Sequence, residues 1–229
     1  MPSKRKKESQ VLTFSTKADH LSFWPFLVLT LLIWVSYRSI FRFPIWFDEI
    51  VGKAIFFGLP VWLYLQISRS KKIVDTMAPE KINSGLLLGI AIGGLYGFAG
   101  SIMGALNAGG QMQLVPLFLS GQFWWEFFLA LMTAFWETLF FYSFVMSVIM
   151  EKSKKMSLIW PVLITAGIFL IFHLPNSVLR FSGPALITQI ILMFAFGVGQ
   201  ALLFVRWRNF YTLVISHAIW GMALLVHLS

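Results

Sequence analysis

Long apolar runs separated by short polar stretches set the pattern of this chain. Seven of them, at roughly 21–37, 50–67, 84–106, 122–150, 158–174, 184–205 and 210–228, approach the length of about 20 apolar residues that a helix needs to cross a bilayer. The pattern predicts an all-α polytopic transmembrane helix bundle. A polar arm over 1–20 precedes one helical domain over 21–229. The first run has a charged segment before it, as a secretory signal would. No small-x-small cleavage site comes after it, and the bulky stretch YRSIFRFPIWF stands there instead, so the run is read as a retained anchor. Within GIAIGGLYGFAGSIMGAL, Gly93, Gly97 and Ser101 recur every four residues, the spacing of a helix face built for close packing. NAGGQMQLVP, 107–116, reads as a turn-rich, uncharged connection.

Composition fixes the solvent. Of 229 residues 58% are hydrophobic and 12% charged, against about half and a quarter in soluble domains, so this is an integral membrane protein with many passes. The 24 Phe and 10 Trp suit lipid-facing and interfacial positions. No cysteine is present, which excludes disulfides, thiolate metal sites and cysteine nucleophiles. The net charge of +9 is distributed by loop. Fourteen basic residues fall in alternate segments that include Lys4 to Lys7, Arg69 to Lys81, Lys152 to Lys155, and Arg206 with Arg208; four, Arg38, Arg42, Lys53 and Arg180, fall in the others. Cytoplasmic loops are the basic ones, so the N-terminus is expected inside and the C-terminus outside. The KRKK arm is then solvated near anionic lipid heads, and no nucleic-acid partner is expected.

Ionisable groups inside spans are costly, on the order of 3 kcal/mol each, and mark function when present. Here they are Glu126, Glu137, His173, His217 and His227, with Gln189, Gln200 and Asn176 as neutral companions. Glu126, beside Trp124 and Trp125, reads as a headgroup-level residue, His20 as solvated, and Gln189 and Gln200, three turns apart, as polar glue between helices. Glu137 stands in AFWETLFFYSF with no basic residue nearer in sequence than Lys152. Counting about 1.5 Å per residue from the cytoplasmic ends puts Glu137 roughly 21 Å deep on the fourth span and His173 roughly 24 Å deep on the fifth. A carboxylate and an imidazole at one level can hold and deprotonate a water molecule; they can equally form an inert hydrogen bond that fixes helix packing. His217 counts as shallower, roughly 12 Å, and His227, roughly 27 Å, is its rival, although near the C-terminus it reads as interfacial. Pro175 frees a backbone carbonyl near His173 and is expected to open the helix end to water.

ETLFFYSF, FLIFHLPN and LVISHAIWG, one per span, resemble the three signatures of the CPBP family, which holds the type II CAAX prenyl endopeptidases and the Abi proteins: EExxxR, FxxxH, and HxxxN or HxxxD. Glu137 falls on the first Glu, Phe169 and His173 reproduce FxxxH, and His217 falls on the histidine of the third. Thr138, Tyr142 and Gly221 stand where the second Glu, the Arg and the Asn or Asp are usual. The resemblance covers about 85–225. It implies an intramembrane endopeptidase in which Glu137 is the general base, His173 orients and shares the proton, and His217 polarises the scissile carbonyl. It also implies a membrane-embedded or lipidated peptide substrate and a bacterial or archaeal cell membrane. The departures leave a non-catalytic scaffold or immunity-type protein as the alternative. A small-solute transporter has less support, with no repeat symmetry along the chain. HExxH is absent, yet Glu137, His173 and His217 would also make a three-ligand site for a divalent metal such as zinc. Sequence leaves metal-free and metal-assisted hydrolysis both open, with the family assignment leaning to the first.

Overall fold

A computed structural model of the chain describes residues 23–107 and 121–228, with side chains over 23–102 and 121–223. The basic arm with His20, all but the start of the 107–116 connection, and the His227 side chain lie outside the described residues. Seven long helices make up what is described, with no strand: α1 Phe23–Ile40, α2 Ile45–Ser68, α3 Ile82–Asn107, α4 Phe123–Lys152, α5 Ile159–Arg180, α6 Gly183–Trp207 and α7 Phe210–Leu228. The first six include stretches long and apolar enough to cross a membrane, and α7 is apolar over Phe210–Ala223. The chain is an all-helical, multi-pass membrane protein.

Two boundaries differ from expectation in ways that matter. α2 begins at Ile45, not near 50, because Pro44 presents its carbonyl to the amides of Phe47 and Asp48 and starts the helix there. Asp48 and Glu49 look like loop residues in sequence, but acids are favoured in the first turns of a helix. α5 does not open at Pro175; it continues to Arg180, and the Ser177 hydroxyl bonds back to the His173 carbonyl at 3.1 Å. Arg69 and Arg208 close α2 and α6 in left-handed conformations, each N–H returning to a carbonyl four residues back.

α4 is the spine. From Thr138 to Met146 it winds as a π-helix and is buried except at Leu139, with Phe140 and Phe141 packed against Phe57 of α2 and Phe169 and Phe172 of α5, and Phe144 against Phe23 of α1 and Tyr64 of α2. α3 and α7 run side by side in the same direction. At Gly89 a Cβ would lie 2.7 Å from that of Ile215, and at Gly93 it would meet Ile219, so the missing side chains let the helices touch. Gly97 also faces α7, as its spacing with Gly93 predicted.

α7 starts midway along α4, with Phe210 against Phe135 at 5.2 Å between ring centroids. The space beneath it is filled by the connector 71–81. Lys72 pairs with Glu151, Thr76 Oγ1 donates to Ser143 Oγ at 2.9 Å, and the Met77 carbonyl accepts from the Tyr211 hydroxyl at 2.9 Å. Asn209 Nδ2 donates to the Lys81 carbonyl at 3.0 Å. Depth counted from Asn209 therefore understates the level of His217, which needs no tilt to reach the middle of α4.

Candidate active site

Four helices bring four side chains to one point. Glu137 of α4 is 3% exposed, and each of its oxygens has its own neighbours. Oε1 takes an ion pair from Lys53 Nζ of α2 at 2.6 Å. Oε2 lies 3.2 Å from Nε2 of His173 on α5 and 3.5 Å from Nε2 of His217 on α7. The three residues singled out from sequence thus meet.

Lys53 does not stand on the outer flank, where charge counting puts it. It lies eight residues inside α2, roughly 12 Å from Ile45, buried and bridging Glu137 and Glu49. Glu49 in turn accepts from the Thr133 hydroxyl of α4. Three groups of the site, Lys53, Glu49 and Thr133, therefore escape a reading of the sequence. The available signal is a Glu and a Lys four residues apart on an apolar helix, hidden when the helix start is placed after Glu49. Moving Lys53 inward also sharpens the asymmetry of basic residues between the two ends.

Local backbone form explains the aim of these groups. α2 has π-helical turns at Asp48–Gly52 and Ala54–Gly58, with Lys53 between them, and the π-helical stretch of α4 begins immediately after Glu137. Each widened turn inserts a residue and rotates the helix beyond it, a form that recurs at functional sites. Gly58 lets the approach be close: a Cβ there would stand 2.6 Å from the Trp136 ring, next to Glu137.

Hydrogen bonding assigns the proton on His173. Its Nδ1 lies 2.7 Å from the Phe169 carbonyl, which can only accept, so Nδ1 carries a hydrogen, and the ring in its neutral form presents a lone pair at Nε2. That lone pair faces Oε2, which takes no aligned hydrogen bond from the protein. Two acceptors aimed at one place define a position for a donor such as water. His217 differs: its Nδ1 is buried without a hydrogen-bond partner, and the carboxylate favours a hydrogen on Nε2. One imidazole accepts and the other donates.

Around this core, Gln200 Nε2 donates to Ser216 Oγ at 3.0 Å and ties α6 to α7, while Gln189 is buried on the same helix. Asn176, a turn beyond His173, accepts from Arg38 Nε at 2.6 Å, and Arg38 pairs with Asp48. Glu126 is half-buried and follows the exposed Trp124 and Trp125, eleven residues before Glu137 on α4. The Thr138 hydroxyl is buried without a partner, and the Tyr142 hydroxyl reaches the Gly197 carbonyl only at 3.5 Å, so neither supplies the charge of the residue it replaces. Among the described residues only Ala130 lies within 4 Å of where a Cβ on Gly221 would stand. Among the described residues no group of three or more His, Asp or Glu side chains is arranged to hold a metal ion. Lys53 occupies one carboxylate oxygen as its cation, so the donor set does not fit the three-ligand alternative.

Residues 119–223 match the family model described as type II CAAX prenyl endopeptidase, Rce1-like. This segment is a domain of that family. It spans α4 to α7 and contains Glu137, His173 and His217, while Lys53 and Glu49 come from outside the Rce1-like domain. Neither a search of the curated proteins nor one of the solved structures found a match.

Proposed function

We propose that this chain is an intramembrane endopeptidase that hydrolyses a peptide bond with water activated by Glu137 and His173. Its family domain supports the class, and a single observation carries the mechanism: Oε2 of Glu137 and Nε2 of His173 point at one place from 3.2 Å apart, with Lys53 on the other oxygen. Lys53 pairs with the carboxylate and holds it turned. A water donating to the pair loses a proton to them, and the resulting hydroxide forms a bond to the scissile carbonyl carbon. Nε2–H of His217 donates to the oxygen that becomes negative. As the carbon–nitrogen bond breaks, the proton held by Glu137 and His173 passes to the leaving amine. The substrate is a membrane-embedded or lipidated peptide, the family pointing to prenylated proteins.

The scaffold reading rests on one specific observation, the empty position at Gly221, which lacks a second oxyanion donor. The two readings separate on Glu137→Gln and His173→Ala. In a hydrolase each variant loses turnover of a membrane-embedded peptide, by about 10² to 10⁴ in rate, while remaining folded in detergent. In a scaffold each lowers thermal stability, and wild type has no turnover to lose. Undiminished cleavage by either variant ends the mechanism proposed.

A further inference from the structure

Two polar rungs join α2 to α4. Thr133 meets Glu49 in one, and Glu137 meets Lys53 in the other. Glu49 and Lys53 are four residues apart on α2, as Thr133 and Glu137 are on α4, a spacing that puts side chains on one helix face. One turn of α2 thus presents an acid and a base to one turn of α4. EExxxR, the signature from which α4 departs, also sets an acid and a base four residues apart. Those two charges are absent at Thr138 and Tyr142, and α2 carries them at the same spacing.

Lys53 is held from both sides. Its ammonium meets Oε1 of Glu137 at 2.6 Å and also Oε2 of Glu49, and the same Glu49 oxygen accepts from the Thr133 hydroxyl. A lysine is a point charge on a flexible four-carbon stem, so one carboxylate alone does not fix where that charge sits. Facing Glu137 only, the ammonium would be free to settle between its two oxygens and cover Oε2, which His173 and His217 face. Glu49 draws it the other way, and Thr133 anchors Glu49.

Charge gives a second reason. Two carboxylates around one ammonium leave one negative charge in excess. When Glu137 and His173 take the proton of the water, that excess is cancelled and Lys53 keeps Glu49 as its partner. Without Glu49 the same step would strand a cation whose side chain is 6% exposed, a costly state in a protein interior.

We propose that Glu49 is a positioning residue of this site: it holds Lys53 between two carboxylates, so that the ammonium stays on Oε1 of Glu137 and leaves Oε2 to the reacting water. The effect on turnover rests on the hydrolase reading; the sharing of Lys53 does not.

Variants of the full-length protein test both. Glu49→Gln keeps the shape of the side chain and leaves Lys53 paired with Glu137, so the variant is expected to fold. Its kcat for a membrane-embedded peptide should fall by about 10²-fold, the order that follows from misplacing a catalytic group, with KM within about twofold of wild type. Glu49→Asp restores the charge and should recover most of kcat. A wild-type kcat in Glu49→Gln, or a loss that Glu49→Asp does not recover, overturns the proposal. Sharing is read without turnover, from the melting temperatures of Glu49→Gln, Glu137→Gln and the double variant in detergent. Either single change leaves Lys53 one carboxylate and the double change leaves none, so the double variant should lose more than the two single losses added. Additive losses overturn the proposal as well. Non-additive melting in a wild type that cleaves nothing sinks the hydrolase reading alone, whereas an active wild type with an equally active Glu49→Gln sinks the role of Glu49 alone.

Discussion

At the residue scale, the two oxygens of one carboxylate do different work. Lys53 fixes Oε1, and the two imidazoles face Oε2. Breaking a buried pair by removing one partner leaves an uncompensated charge and costs about 3–5 kcal/mol. Lys53→Met is therefore expected to lower unfolding stability in detergent by that order. The double variant Lys53→Met with Glu137→Gln recovers part of the loss, since the deeply buried carboxylate is then gone and only Glu49, 21% exposed and bonded to Thr133, loses its cation; a denaturation cycle over the four proteins measures it. Gly221→Asn has room, with Ala130 Cβ 3.9 Å from where the new Cβ would stand, and it returns an amide donor near His217. One oxyanion donor is commonly worth about 10² to 10³ in rate, so turnover should rise towards that factor, as steady-state kinetics will show. Glu137 and His173 were legible in sequence because each is a titratable residue isolated in an apolar span at one counted depth, whereas His217, counted as shallower, was singled out by its resemblance to the third family signature. Lys53 and Glu49 were not, since basic and acidic residues near a span end look like the aqueous flank until the helix start is known.

At the element scale, the position of His217 depends on how closely α3 meets α7. A side chain at Gly89 would push against Ile215, whereas nothing lies within 4 Å of a Cβ at Gly94 further along the helix. Gly89→Val should cost about 1–3 kcal/mol through overpacking, and it should reduce turnover by moving His217. Gly94→Val serves as the matched control, with melting temperature and activity read for both. The small-residue spacing of α3 was visible in the chain. The raised start of α7 was not, because helix counting assumes that every span begins at the membrane surface. Here the 71–81 connector intervenes, and its contacts through Thr76, Met77 and Lys81 join residues distant in sequence. The π-helical turns beside Lys53 and Glu137 likewise have no sequence signature that hydrophobic periodicity reveals.

At the scale of the whole molecule, the all-helical, many-pass architecture arises from the apolar runs alone. The family domain supplies α4 to α7, yet the cation that holds Glu137 arrives from α2. Residues 1–68 are thus more than an anchor, and a chain lacking them is expected to have no measurable turnover even with 119–223 intact. Peptide cleavage by such a truncated protein, reconstituted beside the full chain, would show that α2 is dispensable. The central claim is that Glu137 activates a water for hydrolysis. Its most direct test is cleavage of a membrane-embedded peptide in ¹⁸O-water by purified wild type and Glu137→Gln, with mass spectrometry of the new C-terminus. Wild type should place one ¹⁸O in the new carboxyl group and Glu137→Gln should yield no product; equal labelled product from both proteins would contradict it.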